Sequence, residues 1–256
     1  MPMISIYRSI ARRLKVLVSR VPILASALLA IMGCMRIPPT VVPIPSIPAA
    51  SEKSSNDSLV IMLPGMGDRA EAFLNAGFLD VGDQWGFDIL SIDAHYGYYA
   101  ERSLIPRLHE DIIIPARASG YQNIWLLGVS MGGFGSLLYA AEYPDAIDGI
   151  ILLAPYIGDR GLANEIEAAG GLHSWPGDAD GFNDFEIRVW AWLKNVTIQP
   201  EGTPVILGYG RSDRLAQSYG PLVEALDPSR VFRLDGGHGW TTWGPLWARI
   251  AANLEL

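Results

Sequence analysis

The chain has 256 residues, 50% hydrophobic and 18% charged, with a formal net charge of −8 and one cysteine. That length supports a single α/β domain with a sizeable core, and the lone cysteine excludes an intramolecular disulfide and a cysteine-rich zinc site. The first 33 residues hold Arg8, Arg12, Arg13, Lys15 and Arg20 and no acid; beyond them 14 basic and 27 acidic side chains remain, a balance that argues against nucleic acid as a partner.

Residues 1–20 are basic and Val21–Gly33 is apolar. Only 15 uncharged residues separate Arg20 from Arg36, short of the roughly 18–20 that span a bilayer, so residues 1–33 read as a signal peptide. Ile31-Met32-Gly33-Cys34 resembles a bacterial lipobox, in which the cysteine is lipidated, although Met32 stands where a small residue is usual. Three outcomes stay open: a lipid anchor at Cys34, a cleaved secretory signal, or an uncleaved anchor. All three place the protein in the bacterial cell envelope. Residues 34–58 read as a tether, because Pro38, Pro39, Pro43, Pro45 and Pro48 favour extended geometry and 51–58 is polar.

From Leu59 the pattern alternates short apolar runs with helical stretches. Strands are expected at 59–63, 86–92, 124–129, 148–154, 204–208 and 230–234. Helices are expected at 103–119 with a break near Pro115, at 131–143, at 215–226 and at 240–254. Residues 158–202, with Trp175, Trp190 and Trp192, read as an irregular to helical insertion. This alternation implies a mostly parallel sheet with helices on both faces, whose ligands sit beyond the carboxyl ends of the strands.

The apolar run 124–129 leads into Gly128-Val129-Ser130-Met131-Gly132-Gly133, and a helical pattern follows directly. Strand, sharp turn and helix is the context of a nucleophile elbow. Side chains at Gly128 and Gly132 would collide with the neighbouring strand and helix, and the helix N-terminus behind the serine favours developing negative charge. Other strand ends carry Pro64-Gly65-Met66-Gly67-Asp68, Asp93-Ala94-His95, Gly210-Arg211-Ser212-Asp213 and Gly236-Gly237-His238-Gly239. Of the four histidines, His109 falls in a helix as a surface residue, His173 in the insertion, and His95 at a strand end where it could line a pocket. His238 stands between glycines after the last strand. A serine hydroxyl needs such a base to take its proton during attack.

These motifs, over residues 59–254, resemble the α/β-hydrolase family: the elbow, an acid after the next-but-one strand, and a histidine after the last, in the family's order. Ser130-Met131-Gly132-Gly133-Phe134-Gly135 looks like the esterase branch that includes S-formylglutathione hydrolases. The resemblance implies an α/β-hydrolase-like domain over 59–256, without the family's two N-terminal edge strands and with 158–202 as a small cap over the pocket. It implies Ser130 as nucleophile, His238 as base and Asp213 as orienting acid, with Asp235 and Asp159 as rivals for the acid. It also implies an oxyanion hole from the N–H groups of Met66 and Met131. Asp68 and Arg69 read as a surface pair without a role. No cofactor and no metal are expected. The expected substrate is a small acyl ester or thioester hydrolysed through an acyl-enzyme. Acyl transfer, peptide hydrolysis and a non-catalytic surface-anchored binding domain are the alternatives. If Cys34 carries the anchor, Cys34→Ser moves the protein from the membrane to the soluble fraction on ultracentrifugation, with catalytic activity intact.

Overall fold

The structure is a computed structural model and describes residues 37–50, 57–199 and 201–254. The leader and Cys34 lie outside the described residues. Seven strands form one sheet in the order β1-β3-β2-β4-β5-β6-β7: β1 Ser46–Ala49, β2 Ser58–Leu63, β3 Asp88–Ile92, β4 Asn123–Val129, β5 Gly149–Leu153, β6 Val205–Gly210 and β7 Val231–Leu234. Every neighbouring pair is parallel except β1 with β3.

The central strands are buried on both faces, as parallel strands under two helical layers must be. The period of two is clear in β4: Ile124 and Leu126 face one apolar cluster, while Trp125, Leu127 and Val129 face the other. Ile150 and Leu152 of β5 go to the first cluster, and Ile151 and Leu153 to the second. Gly149 pairs in register with Trp125, and a Cβ there would meet the indole ring at 2.5 Å, so the wide side chain needs the bare backbone beside it.

The first face carries helices α4 Leu104–Arg107, α5 Ile114–Ala118, α6 Met131–Glu142, α7 Arg160–Ala168, α8 Asp184–Ile198 and α9 Gly220–Ala225. The second carries α1 Glu71–Asn75, α2 Asp80–Trp85 and α10 Trp240–Ala251. A further short helix, α3 Tyr96–Ala100, follows β3. The helix expected at 103–119 keeps its course but widens into a π turn at Leu108–Ile113 just before Pro115. Proline has no N–H to give and its ring crowds the preceding turn, which the wider turn accommodates. The helix expected at 215–226 splits into a 3₁₀ turn, Ala216–Ser218, and α9, because Gly220-Pro221 starts a new helix.

Two expectations about architecture need correction. The compact unit runs from Pro38, not from Leu59. Much of the stretch read as a tether is bound to the body: Ser46–Ala49 is the antiparallel edge strand, so one N-terminal edge strand is present after all. Ile44 is buried, its N–H bonds the Asp111 carboxylate at 3.0 Å, and both backbone groups of Val41 bond the Tyr98 hydroxyl. A sheet edge is one of the few places that accepts a strand proline such as Pro48, and there the extended preference of a proline-rich run serves pairing instead of solvation.

Residues 158–202 are also more than a cap. Trp175 and Trp190 are fully buried, and α8 lies in the same apolar cluster as Leu126, Leu152 and Leu207 of the sheet. The tryptophans are core: α8 packs against α6 and α9, and burying indole rings there removes a large apolar area from water.

On the opposite face Trp247 is fully buried, lies 5.9 Å from the Phe87 ring and 6.3 Å from that of Phe78, and donates its indole N–H to the Phe78 carbonyl at 3.1 Å. Trp247→Ala leaves a cavity and an unpaired buried carbonyl. It is expected to cost about 4 kcal/mol, read as a fall in thermal midpoint of roughly 10 °C.

Candidate active site

The elbow is assembled by close backbone contact. Ser130 adopts φ 51° and ψ −113°, a conformation that costs a non-glycine residue on the order of 1–3 kcal/mol. It is held there by bonds on both sides: its N–H to Leu153 O at 3.0 Å, and its own carbonyl accepting from Tyr156 N at 2.8 Å and Gly133 N at 3.1 Å. A Cβ on Gly128 would run into the backbone of Gly132, one on Gly132 into the Leu63 carbonyl of β2, and one on Gly133 would lie 2.7 Å from Pro155 Cβ. The collisions expected from the motif are therefore real, and a third glycine shares the constraint.

The other two residues of the expected triad converge on Ser130. His238 Nε2 lies 3.0 Å from Ser130 Oγ, and Nδ1 lies 2.9 Å and 3.0 Å from the two oxygens of Asp213. The Asp213 side chain has no solvent exposure and that of His238 has 11%. Asp213 Oδ1 also accepts from Leu215 N at 2.8 Å, and the His238 ring stands edge-on to Trp243 at 5.0 Å.

The loops that carry Asp213 and His238 are laced together. β6 runs two residues further than expected, to Gly210, where a Cβ would strike the Gly236 carbonyl. Arg211 N bonds Leu234 O at 2.8 Å and Ser212 N bonds Gly236 O at 2.9 Å. These contacts bring Asp213 under His238 across 25 residues of chain.

The rivals for the acid are elsewhere. The Asp235 side chain is 98% exposed and pairs with Arg211 at 3.4 Å. Asp159 caps α7, accepting from Gly161 N at 2.6 Å. His95 is buried, accepts from Gly97 N at 3.0 Å, and is held towards its neutral form first by burial and then by the Arg69 charge. His109 is not a plain surface residue: it stacks on Tyr143 at 4.0 Å and meets the Tyr139 hydroxyl at 2.8 Å. His173 meets Thr197 Oγ1 at 3.1 Å.

The loop after β2 lies against Ser130, since a Cβ on Gly65 would be 3.5 Å from Ser130 Cβ. Met66 follows Gly65 and stands exposed at the rim. Met131 is the first residue of α6, where a helix N–H has no acceptor within the helix. Asp68 and Arg69 do not pair with each other. Arg69 binds Asp93 in a two-pronged ion pair, Nε to Oδ1 at 2.6 Å and an Nη to Oδ2 at 2.5 Å, which fastens this loop to the end of β3. Burial raises the Asp68 carboxyl above the usual range, opposed by a hydrogen bond from the Trp240 side chain.

Several neighbours of the site were not legible in the sequence. The Tyr156 hydroxyl donates to buried Glu186 at 2.6 Å, its ring meets Phe134 edge-on at 5.4 Å, and the Tyr99 hydroxyl donates to Met131 O at 3.1 Å. Tyr156 follows Pro155 at a strand end, which was a signal, but nothing in the spacing linked it to Glu186. Among the described residues no group of His, Cys, Asp and Glu is arranged to hold a metal ion.

A strained serine between strand and helix, hydrogen-bonded to a histidine that a buried aspartate orients, defines a class, and the family comparison agrees with it. The model of the alpha/beta hydrolase fold matches residues 59–204, and the chain belongs to that family. Among solved structures it is similar to Est1E from Butyrivibrio proteoclasticus, with 18% identity, 82% of this chain and 92% of that chain covered, and a TM-score of 0.53. It is also similar to s-formylglutathione hydrolase (FrmB) from Staphylococcus aureus, with 15% identity, 79% and 82% coverage and a TM-score of 0.52. A third is FphF of Staphylococcus aureus, a fluorophosphonate-binding serine hydrolase, with 13% identity, 84% and 98% coverage and a TM-score of 0.51. At these identities the likeness is one of fold. Comparison with the curated proteins gave no match.

Gly132→Ala tests the elbow. Because the new methyl must push against the Leu63 carbonyl, the variant is expected to lose thermal stability and to label with a fluorophosphonate probe at less than a tenth of the wild-type rate, the cost of about 1.4 kcal/mol or more in barrier.

Proposed function

We propose that the protein is a serine hydrolase acting on carboxylic ester or thioester bonds through an acyl-enzyme. The observation that carries this reading is the His238 ring, placed between Ser130 Oγ and the buried Asp213 carboxylate at hydrogen-bond distance on both sides. Ser130 Oγ attacks the acyl carbonyl while His238 Nε2 takes its proton. Asp213 holds the Nδ1–H tautomer and stabilises the imidazolium without itself becoming protonated. Negative charge on the former carbonyl oxygen is met by the N–H groups of Met131 and Met66, each such donor lowering the barrier by about 3 kcal/mol. The imidazolium then gives its proton to the leaving alcohol or thiol. Water, deprotonated by the same nitrogen, releases the acid and frees Ser130.

The leader supports a place in the cell envelope, with Cys34 as the point of attachment, so the substrate would be met outside the cytoplasm.

A fluorophosphonate probe and p-nitrophenyl esters of graded chain length test the reading. Wild-type protein should label at Ser130 and release nitrophenol; absence of both would leave only a binding role. Ser130→Ala and His238→Ala are each expected to remove most activity, and the double variant to be little worse, since the two act in one proton transfer. Asp213→Asn is expected to keep the fold and lower kcat by up to ~10⁴, while Asp235→Asn and Asp159→Asn stay near wild type. A crippled Asp235→Asn beside a mild Asp213→Asn would reassign the acid.

A further inference from the structure

A groove of about 190 Å³ opens along α6, and its walls are mostly apolar: Tyr99, Leu104, Ile105, Phe134, Leu138 and Phe185, with Arg102 the one charged residue. Phe134 sits one helical turn after Ser130, and side chains on a helix lean towards its N-terminus, here towards the nucleophile. Its neighbour Tyr156 bonds the Ser130 carbonyl through its N–H, and Tyr99 bonds the Met131 carbonyl. The groove therefore reaches the first turn of α6, directly behind Ser130 in the chain.

It also lies on one particular side. Leu104, with Tyr99, Ile105, Phe134 and Leu138 packed against it, belongs to the apolar cluster on the α6 face. His238 rests on Trp243, which belongs to the cluster on the opposite face. The leaving group must depart on the side of the imidazolium that protonates it. The groove is left for the acyl group.

Arg102 is placed against local preference. Helix α3 ends in a Schellman motif, with Arg102 N bonding Tyr99 O at 3.1 Å and Ser103 N bonding Tyr98 O at 2.9 Å. The residue between those two bonds takes φ 56°, where glycine is favoured and an arginine is strained. Three described non-glycine residues have positive φ; the other two are Ser130 and Ala154, which both belong to the elbow's surroundings. The Arg102 guanidinium lies 5.7 Å from the centre of the Phe185 ring, and no ion pair to it is found among the described residues. An apolar, aromatic-walled slot with one uncommitted cation at its rim is complementary to a compact hydrophobic body with an anionic end.

We propose that this groove is the acyl subsite and that Arg102 selects acyl groups with a ring or short hydrocarbon body and a carboxylate at the far end. This rests on the hydrolase reading above and adds the substrate class to it. The covalent steps are unchanged: the ester bond breaks, the acyl carbon joins Ser130 Oγ, and the leaving group takes the His238 proton.

The test keeps the leaving group constant. kcat/KM is measured for p-nitrophenyl 4-carboxybenzoate and p-nitrophenyl 4-methylbenzoate with wild-type, R102G and R102K proteins, alongside fluorophosphonate labelling of the wild type. Comparing ratios between variants cancels the intrinsic reactivity of the two esters. R102G removes the guanidinium and relieves the backbone strain, so its thermal midpoint should match or exceed wild type. The carboxy-to-methyl ratio is expected to fall about fivefold or more in R102G, the scale of one partly exposed ion pair. It should be largely kept in R102K, and the wild-type ratio should shrink as salt is added. An unchanged ratio in a folded R102G protein overturns the subsite and leaves the hydrolase reading standing. A wild-type protein that neither labels nor turns over either ester overturns both.

Discussion

The structure depends on how closely the first turn of α6 approaches the backbones of β2 and β4. Three glycines, Gly128, Gly132 and Gly133, allow that approach, and each would place a Cβ inside or against a neighbouring group. The contact fixes the strand-to-helix turn so tightly that Ser130 has only an unfavourable backbone conformation open to it. Its hydroxyl is thereby lifted away from the sheet, and its carbonyl is turned to bind Tyr156 and Gly133. Strain at one residue is affordable because two buried apolar clusters and a seven-stranded sheet hold everything around it.

The pairing of His238 with Asp213 depends on a second close approach, between Gly210 and Gly236. Without it the loops after β6 and β7 would stand apart, and the carboxylate of Asp213 would have no reason to be dry. Burial here is useful because the charge is not alone: the Asp213 carboxylate receives the His238 ring and the Leu215 N–H. A buried carboxylate with such partners is tolerated, whereas the same group unpaired would be costly. Asp235, three residues before the histidine, is 98% exposed and pairs with Arg211, so nearness in sequence carried no information about which acid meets the ring.

The loop after β2 is governed by the same logic one strand away. Arg69 clamps it to Asp93, and the adjacent Asp68 carboxylate faces the Trp240 side chain, so the loop that bears Met66 is fastened on its carboxyl side. On the other side of Ser130, Glu186 draws Tyr156 and the Asp159 N–H inwards, tying α8 to the loop after β5. The residues that shape the surroundings of Ser130 therefore come from the whole carboxyl edge of the sheet.

Period-two runs such as Ile124–Val129, the Gly-x-Ser-x-Gly turn, and glycine-flanked His238 after the last run made the α/β architecture, the elbow and the candidate base legible, because those features are local and steric. Asp213 was legible too, through its place at a strand end. The proline-rich stretch misled because proline favours extended backbone in a tether and at a sheet edge alike; only the presence of β3 beside it made 46–49 a strand. For residues 158–202 the apolar pattern suits a pocket cover and a core helix equally well, and the structure packs α8 against α6 and α9 within the apolar cluster on that face. The pairs Arg69–Asp93, Tyr156–Glu186 and Tyr99–Met131 join distant segments through side chains whose local sequence carries no sign of a partner. Tertiary structure alone decided them, since long-range hydrogen bonds are set by where strands end in space and not by spacing along the chain.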